Sequence, residues 1–292
     1  MFTPRIIVSL AATTLLPTFA FADGLGPADG FTIFTIDSYQ ANNTDCTGRI
    51  AVGGAAVYNN FGVGSGLTNS SGARDDLIVA GTLNWNNGQS FNGNVQVAGS
   101  SNMNNVGLPN GIVGSNVTID FDDAEEDLQE LSDELFLEQA NGTVSNTWGQ
   151  LTMTGSDSDL NVFHLTQNDL SPLWGLSITV PQGSTVLINV DNANMQLNYF
   201  QPVLNGCDAT DVLWNFPNSS TVQMNGIGWK GTILAPNASI QFNNGQIDGA
   251  LVCRIIQGNG ESHHAPFDGD LPTDDDDCDD DDNNPIGIAM YD

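Results

Sequence analysis

Residues 79–105 read VAGTLNWNNGQSFNGNVQVAGSSNMNN, and this stretch contains one pattern twice. Each copy starts as a short apolar strand, turns at small residues, continues as a strand of alternating apolar and polar residues, and ends at an Asn-Asn pair. The copies start at Val79 and Val97, 18 residues apart. This period is about the length of one coil of a β-solenoid, so the pattern predicts stacked coils.

Two more copies support the same fold, one at residues 52–60 and a longer one at residues 234–244. Each coil has an apolar face that it cannot bury alone, so neighbouring coils must share an interior. Glycine and asparagine suit the corners because they tolerate positive φ. We therefore predict a mostly β protein, a right-handed parallel β-solenoid. An ordinary β-sandwich with similar turns is the alternative.

One segment, at about residues 122–140, has the periodicity of a helix. Acidic residues fill its first turn, where they complement the helix dipole. The apolar stripe consists of Ala124, Leu128, Leu131, Leu135 and Phe136. This pattern predicts one amphipathic α-helix packed along the flank of the solenoid, ending before residues 141–142, Asn-Gly.

Both ends of the chain differ from the middle. Residues 1–22 combine Arg5, an apolar stretch and a small-residue cleavage site, which is typical of a secretory signal peptide. The β-solenoid domain is predicted at residues 23–269. Residues 270–292 are rich in Asp and lack apolar partners, so they predict a disordered acidic tail. These features predict a secreted protein, extracellular or at the cell surface, with no membrane insertion.

The chain is strongly acidic, with 35 acidic and 5 basic residues and a formal net charge of −30. This charge disfavours nucleic acid, whose recognition depends on Lys and Arg. It attracts cations, so calcium is the one cofactor we consider, and otherwise none is expected. The candidate metal ligands are the aspartates of the tail, Asp274, Asp275, Asp276, Asp277, Asp279, Asp280, Asp281 and Asp282. A solvated spacer is an equally good interpretation of this run.

Four cysteines are disulfide candidates because the chain is predicted to be exported. They are Cys46, Cys207, Cys253 and Cys278. Three pairings are compatible with the sequence.

The sequence contains no motif that indicates catalysis. The glycines of residues 226–231 match a dinucleotide-binding pattern by letter, but they lead into a strand instead of a helix. No serine has a nucleophile-elbow context, and His-Glu-x-x-His is absent. We predict that the chain is not an enzyme. A polysaccharide-cleaving β-helix enzyme, with carboxylates on adjacent coils, is an alternative.

Tyr58, Trp85 and Met103 occupy equivalent positions in three copies, so they form a stack. An inward stack is core, which we favour, whereas an outward stack is a binding platform. The candidate binding residues are Tyr58, Trp85, Asn86, Asn87, Asn104, Asn105, Asn243 and Asn244.

A series of motifs over residues 31–269 resembles the choice-of-anchor A family of bacterial extracellular adhesive domains. The motifs are FTIF at 31–34, GRIAVGG at 48–54, LNWNNG at 83–88, GTILAPNA at 231–238, NNGQIDG at 243–249 and GNGESH at 258–263. The resemblance implies an adhesive surface or matrix protein and supplies no catalytic residues. A solenoid with a flanking helix also resembles microbial ice-binding β-helix proteins. Those expose flat Thr-rich faces, and Thr152-Met153-Thr154 is the only close approach in this sequence.

We therefore predict a secreted adhesive or matrix-binding module that recognises a repetitive surface, either a polysaccharide or a fibrous protein, without catalysis. The expected partner is an extracellular polymer or surface. A calcium-, mineral- or ice-interacting protein is the main alternative. The sequence leaves the oligomeric state open.

Overall fold

The computed structural model describes residues 20–166, 168–170 and 172–273. Its strands are β1 Ala20–Asp23, β2 Ile33–Cys46, β3 Ile50–Val52, β4 Ala56–Val63, β5 Asp75–Val79, β6 Leu83–Ser90, β7 Asn94–Val97, β8 Ser101–Gly107, β9 Val113–Gly114, β10 Thr143–Thr147, β11 Gln150–Thr154, β12 Leu160–Thr166, β13 Gly175–Thr179, β14 Thr185–Asp191, β15 Asn194–Asn198, β16 Pro202–Asn205, β17 Val212–Asn215, β18 Thr221–Asn225, β19 Gly228–Lys230, β20 Thr232–Asn243, β21 Gln246–Asp248, β22 Leu251–Gly258, β23 Glu261–His263 and β24 Asp270–Thr273. The α-helix, α1, is Phe121–Leu137, and short 3-10 helices lie at Gly26–Ala28 and Ala209–Asp211. None of the helices in these ranges is long and apolar enough to cross a membrane.

The strands stack as a parallel β-solenoid with three faces. The helix-side face contains β12, β14, β17, the first parts of β20, β22 and β2, then β3, β5, β7 and β9. The second face contains β15, β18, the later parts of β20, β22 and β2, then β4, β6 and β8. The third face includes β10, β11, β13, β16, β19, β21 and β23. All described pairings are parallel except β10 with β11 and β1 with β24. The predicted solenoid is confirmed, and the sandwich alternative is wrong.

The coils do not stack in chain order. From β2 the chain winds outward to β9, and we call this part the first arm. After α1 the chain starts again at the opposite end, and β10 to β23 wind back towards the middle as the second arm. The arms meet where β22 pairs with β2, with Ile33 opposite Leu251. One continuous stack is therefore built from two separately wound pieces.

The interior is filled by the inward residues of each strand. Tyr58 and Trp85 have no exposed surface, and their ring centroids lie 5.8 Å apart. Including these two residues among the binding candidates was therefore wrong. Successive side chains of a strand point to opposite faces, so the neighbouring asparagines face outward and the rings face inward. The stack of Tyr58, Trp85 and half-buried Met103 is part of the core.

Helix α1 covers the helix-side face. Asp120 caps its N-terminus by accepting from the backbone N–H groups of Asp122 and Asp123. Leu128 and Leu135 are buried in the same apolar cluster as Leu213 and Leu234 of the sheet.

The helix ends at Leu137, before the predicted stop. Glu138 turns to extended dihedrals, and its carbonyl oxygen lies 2.7 Å from Nε2 of His164 on β12. Asn141 then bonds the backbone of β12 through its side chain, donating to Leu160 O and accepting from Val162 N. Contacts with the sheet therefore end the helix.

The cysteines within the described ranges are free and buried, so the disulfide prediction is wrong for pairs among Cys46, Cys207 and Cys253. Cys46 and Cys253 act as small apolar residues whose thiols donate to the carbonyls of Gly48 and Ile255. Burial raises the pKa of Cys46 to about 12 and that of Cys207 to about 11, which keeps these thiols protonated.

Most residues at the two ends of the chain lie outside the described ranges. Strand β24 contains the first four residues of the range predicted as tail, and it pairs with Ala20–Asp23. Residues 1–19 of the predicted signal peptide lie outside the described residues, as do Cys278 and every aspartate of the candidate metal run.

Candidate functional site

The second face presents amide side chains in straight columns. One column consists of paired residues from consecutive coils, Gln196, Gln223, Gln241, Gln257 and Gln40, followed by Val57, Asn84 and Asn102. Gln40, Gln196, Gln241 and Gln257 are exposed. Gln196 donates from Nε2 to Oε1 of Gln223 at 3.3 Å, so a side-chain hydrogen bond joins these two members of the column in addition to the backbone pairing.

Two residues further along each strand lies a column of asparagines. It consists of Asn198, Asn225 and Asn243 in the second arm and Asn42, Asn59, Asn86 and Asn104 in the first. Their side chains form a ladder in the first arm. Asn59 donates to Asn42 at 2.9 Å, and Asn104 donates to Asn86 at 3.1 Å.

The next position is a corner, where the chain takes a left-handed conformation. Asn43, Asn60, Asn87, Asn105 and Asn244 have φ between 49° and 56°. Asparagine adopts this conformation more easily than most residues because its short polar side chain bonds locally. Asn60 donates to Asn43 at 2.7 Å, and Asn105 donates to Asn87 at 2.8 Å. The corner therefore extends the ladder, and its side chains are fixed before any ligand arrives.

We call these three columns the amide face. None of its residues carries a charge, although the chain has a net charge of −30. Neighbouring coils are about 4.8 Å apart, and the glutamine and asparagine columns, two residues apart, are about 7 Å apart along the strands. Each amide has both donor and acceptor atoms, so the face offers a regular grid of hydrogen-bonding groups.

The structure brings six of the predicted binding residues together on this face. They are Asn86, Asn87, Asn104, Asn105, Asn243 and Asn244. The glutamine column was missed. Its members align only when the coil order is known, although the spacing of 27 residues between Gln196 and Gln223 repeats between Asn192 and Ser219.

A second neutral surface lies on the third face, at the far end of the second arm. Thr143, Thr154 and Thr179 are paired side by side, as are Ser145, Thr152 and Ser177. With Thr147 these residues form what we call the threonine patch. The expectation that Thr152-Met153-Thr154 is the only approach to such a face is wrong, because three separate strands contribute hydroxyls to it.

Charged side chains of the third face lie on β19, β21 and β23. Asp248 lies 3.2 Å from Lys230 Nζ and 2.7 Å from His263 Nδ1. Burial alone would raise the pKa of Asp248, but the hydrogen bonds from His263 and Lys230 outweigh it and hold that pKa below its usual value. His263 bonds to this carboxylate and not to its neighbour His264, whose Nδ1 lies 3.0 Å from Thr32 Oγ1. In the described part of the chain, no group of three or more His, Cys, Asp or Glu side chains could hold a metal ion.

Several solved structures are similar to this chain in overall path. An ice binding protein from an Antarctic Biological Consortium is 17% identical, with a TM-score of 0.46 over 91% of this chain and 97% of the other. The ice-binding protein_1 domain of Shewanella frigidimarina is 13% identical, with a TM-score of 0.44 over 85% of this chain and 99% of the other. The ice-binding protein of the Antarctic ascomycete Antarctomyces psychrotrophicus is 11% identical, with a TM-score of 0.36 over 85% and 97% of the two chains. Nothing about the ligand of this chain follows from likenesses at this level.

No curated protein matches the chain. A family match covers residues 24–264, nearly the whole described region. It confirms the resemblance to an adhesive domain, while membership in the choice-of-anchor A family stays a prediction. The chain belongs to the family described as "Putative Ice-binding-like adhesive domain".

Proposed function

We propose that this chain is an extracellular adhesive domain that binds a repetitive, neutral polymer surface through the amide face. The observation that carries the proposal is the absence of charge from this face in so acidic a protein. Interface cores are depleted in charged residues, because desolvating a charge costs more than its new contacts return. The adhesive character of the family supports the same assignment.

The chemistry of the face favours a hydroxyl- or amide-rich polymer. Side-chain amides both donate and accept, so each can pair with a sugar hydroxyl or a peptide group. A single such hydrogen bond adds only about 1 kcal/mol, and many repeated ones are needed for retention. An anionic polymer is disfavoured by the net charge of −30. We propose that binding proceeds without catalysis and without a cofactor, because amides are neither nucleophiles nor proton-transfer groups at neutral pH.

Ice is the second candidate, and the threonine patch favours it. Its hydroxyls lie in register on three neighbouring strands, β10 antiparallel to β11 and β11 parallel to β13, and the family is described as ice-binding-like. This candidate makes a different prediction about which face binds.

Retention of the chain on solid ligands separates the two candidates. Chitin, cellulose, collagen, calcium carbonate and ice would be tested with and without EDTA. The double variant Gln241→Lys/Gln257→Lys places two charges on the amide face, and we expect retention on a polymer to fall by about tenfold or more. Gln246→Lys is the matched control, because Gln246 is exposed on the third face in the next strand. Thr154→Lys should leave polymer retention unchanged and abolish retention on ice, if ice is the ligand.

Three results would contradict the proposal. They are equal losses in the double variant and the Gln246→Lys control, retention of the wild type on none of the polymers, and release of soluble sugar. Retention on ice alone, lost in Thr154→Lys, would establish the second candidate.

A further inference from the structure

A cleft of about 430 Å³ lies where the amide face ends in the second arm. Its polar wall consists of Asn192, Asn194, Gln196 and Asn198, on or beside β15. Apolar residues, among them Leu173 and Met195, line the rest of it. Among the described strands, β15 pairs only with β18, so the cleft follows a sheet edge. A volume of this size is within the range of small-ligand sites.

None of the described residues that line the cleft has an ionisable side chain. Four amides converge on it, and the amide of Asn198 makes no hydrogen bond to another described residue. A ligand here therefore meets uncharged donors and acceptors above an apolar surface, which suits a neutral molecule with many hydroxyls and apolar C–H faces.

Two exposed aromatic residues directly follow residues that line this cleft. Trp174 directly follows Leu173 and is 61% exposed, and Tyr199 directly follows Asn198 and is 76% exposed. Trp148, on the neighbouring hairpin, is 91% exposed. Of the large apolar side chains that the described structure exposes, these three are the aromatic ones. They lie just before the paired strands β11, β13 and β16, which places them at one corner of the solenoid. Clusters of exposed apolar side chains commonly mark binding sites.

These rings are held in place at their polar ends. Trp174 Nε1 donates to the backbone oxygen of Trp148 at 2.6 Å, and Asn225 Nδ2 donates to the hydroxyl of Tyr199 at 2.9 Å. An aromatic ring anchored in this way keeps its apolar face free for contact.

The backbone beneath two of the rings is in an uncommon conformation. Trp148 and Tyr199 have φ of 53° and 58°. Trp148 also begins a two-residue hairpin loop with Gly149, a position where Asn-Gly is favoured. Bulky residues seldom adopt positive φ, and such strain concentrates at functional sites. Asparagine occupies the same kind of corner elsewhere in the solenoid, so the fold itself does not call for large rings here.

We infer that the cleft beside Trp174 and Tyr199 binds a neutral oligosaccharide, with sugar rings packed on the aromatic faces and their hydroxyls paired with the amides. This site lies at the end of the amide face and shares Gln196 and Asn198 with it. It takes a smaller ligand and uses the aromatic rings, so it does not depend on the proposed function. An extended peptide added to the edge of β15 is the competing occupant.

The experiment titrates the full chain with soluble hexasaccharides of glucose, N-acetylglucosamine, mannose and galactose, monitored by tryptophan fluorescence. The exposed indoles report on the site, because Trp85, Trp214 and Trp229 are buried. We expect one hexasaccharide to shift the emission with a dissociation constant of about 0.1–1 mM. Trp174→Ala should weaken binding at least about tenfold. Gln241→Lys on the amide face should leave it unchanged, so the two proposals fail or succeed separately.

Two variants guard against misfolding and nonspecific effects. Asn198→Asp changes an exposed cleft residue without removing a ring, and the added carboxylate should also weaken binding. Ile112→Ala is the control, since Ile112 is 68% exposed at the opposite end of the solenoid. The inference is overturned if no hexasaccharide alters the emission, if Trp174→Ala and Asn198→Asp both bind like the wild type, or if only peptides bind.

Discussion

The helix-side face and the amide face are built from the same coils, yet the first is buried and the second is exposed to solvent. On the helix-side face the outward positions hold apolar residues such as Phe34, Leu213, Leu234 and Val252, all buried beneath or beside α1. On the amide face the outward positions of the same strands β2, β20 and β22 hold glutamines that remain exposed.

The difference shows that the backbone of a coil does not decide what covers it. The outward residue type does, because apolar columns are stabilised by leaving water and amide columns are not. The helix-side face is covered by α1, which belongs to the same chain. The amide face stays uncovered in the described structure, which is why we assign it to an external partner.

The two faces should differ most in stability when one outward side chain is shortened on each of them. Leu234→Ala removes buried methyl groups under α1, and the free energy of unfolding should fall by about 2–5 kcal/mol. Gln241→Ala, on the same strand, should change it by less than about 0.5 kcal/mol. Urea unfolding followed by circular dichroism measures both. Similar losses for the two variants would mean that the amide face is also a packing surface.

The second test concerns the polar contacts that fix α1 to its face. Asn215 Nδ2 donates to the backbone oxygen of Ser132 and to Asn189 Oδ1, and Ser132 Oγ donates to Asn215 Oδ1. Asn215→Ala removes these three hydrogen bonds and leaves Asn189 Oδ1 and Ser132 Oγ without this partner, so we expect a loss of about 1–3 kcal/mol in unfolding free energy.

The outcome can be checked by urea unfolding and by hydrogen exchange in α1. Asn243→Ala, on the amide face, is the matched control and should cost much less. An unchanged helix in Asn215→Ala would show that apolar packing alone holds it.

A third test sharpens the role of the amide-face corners. Asn87→Val places a β-branched residue at φ 56° and removes the acceptor for Asn105, so stability should fall by about 1–2 kcal/mol. Asn87→Gly keeps the conformation accessible and should cost only a few tenths of a kcal/mol. Thermal unfolding compares the pair. Equal midpoints for the two variants would show that the left-handed conformation is not required there.

The smallest expected effect is the pH dependence of the free energy of unfolding that comes from Asp248 on the third face. Because the folded-state pKa of Asp248 lies below its ordinary value of 3.8, its ionised form adds stability at higher pH. That contribution is lost as the pH falls through the folded-state pKa. It should be less than about 1 kcal/mol, since the pair is partly exposed to solvent.

Asp248→Asn removes this pH dependence. The free energies of unfolding of the wild type and the variant, measured as a function of pH, should therefore converge below pH 3.8. Asp45 contributes with the opposite sign, since burial and the nearby Glu261 raise its pKa, but both proteins share that contribution. Curves that stay parallel through the acid range would contradict the assignment.

The sequence predicted what is local and repeated. The copies at residues 79–87 and 97–105 predicted coils with asparagine corners, and the apolar stripe of residues 122–140 predicted α1. The inward direction of Trp85 follows from strand alternation once the corner is placed.

What the sequence did not predict depends on coil order. Gln40 lies beside Gln257 only because the first and last coils meet, and Thr143 meets Thr179 only through β11. No local pattern encodes such neighbours. The aromatic corner was missed for another reason, since Trp148, Trp174 and Tyr199 look like core residues until their exposure is known.

The junction of the two arms has a kinetic consequence. Asp37 and Arg254 form an ion pair across it, although they are 217 residues apart in the chain. Closing so long a loop costs entropy before any pairing compensates for it, and proteins dominated by such contacts fold slowly. Each arm can form from segments that are near each other in the chain, whereas the junction can form only when both arms are present. Joining β2 to β22 is therefore the natural late step of folding, and until it happens each arm exposes an unpaired strand edge of the kind that leads to aggregation.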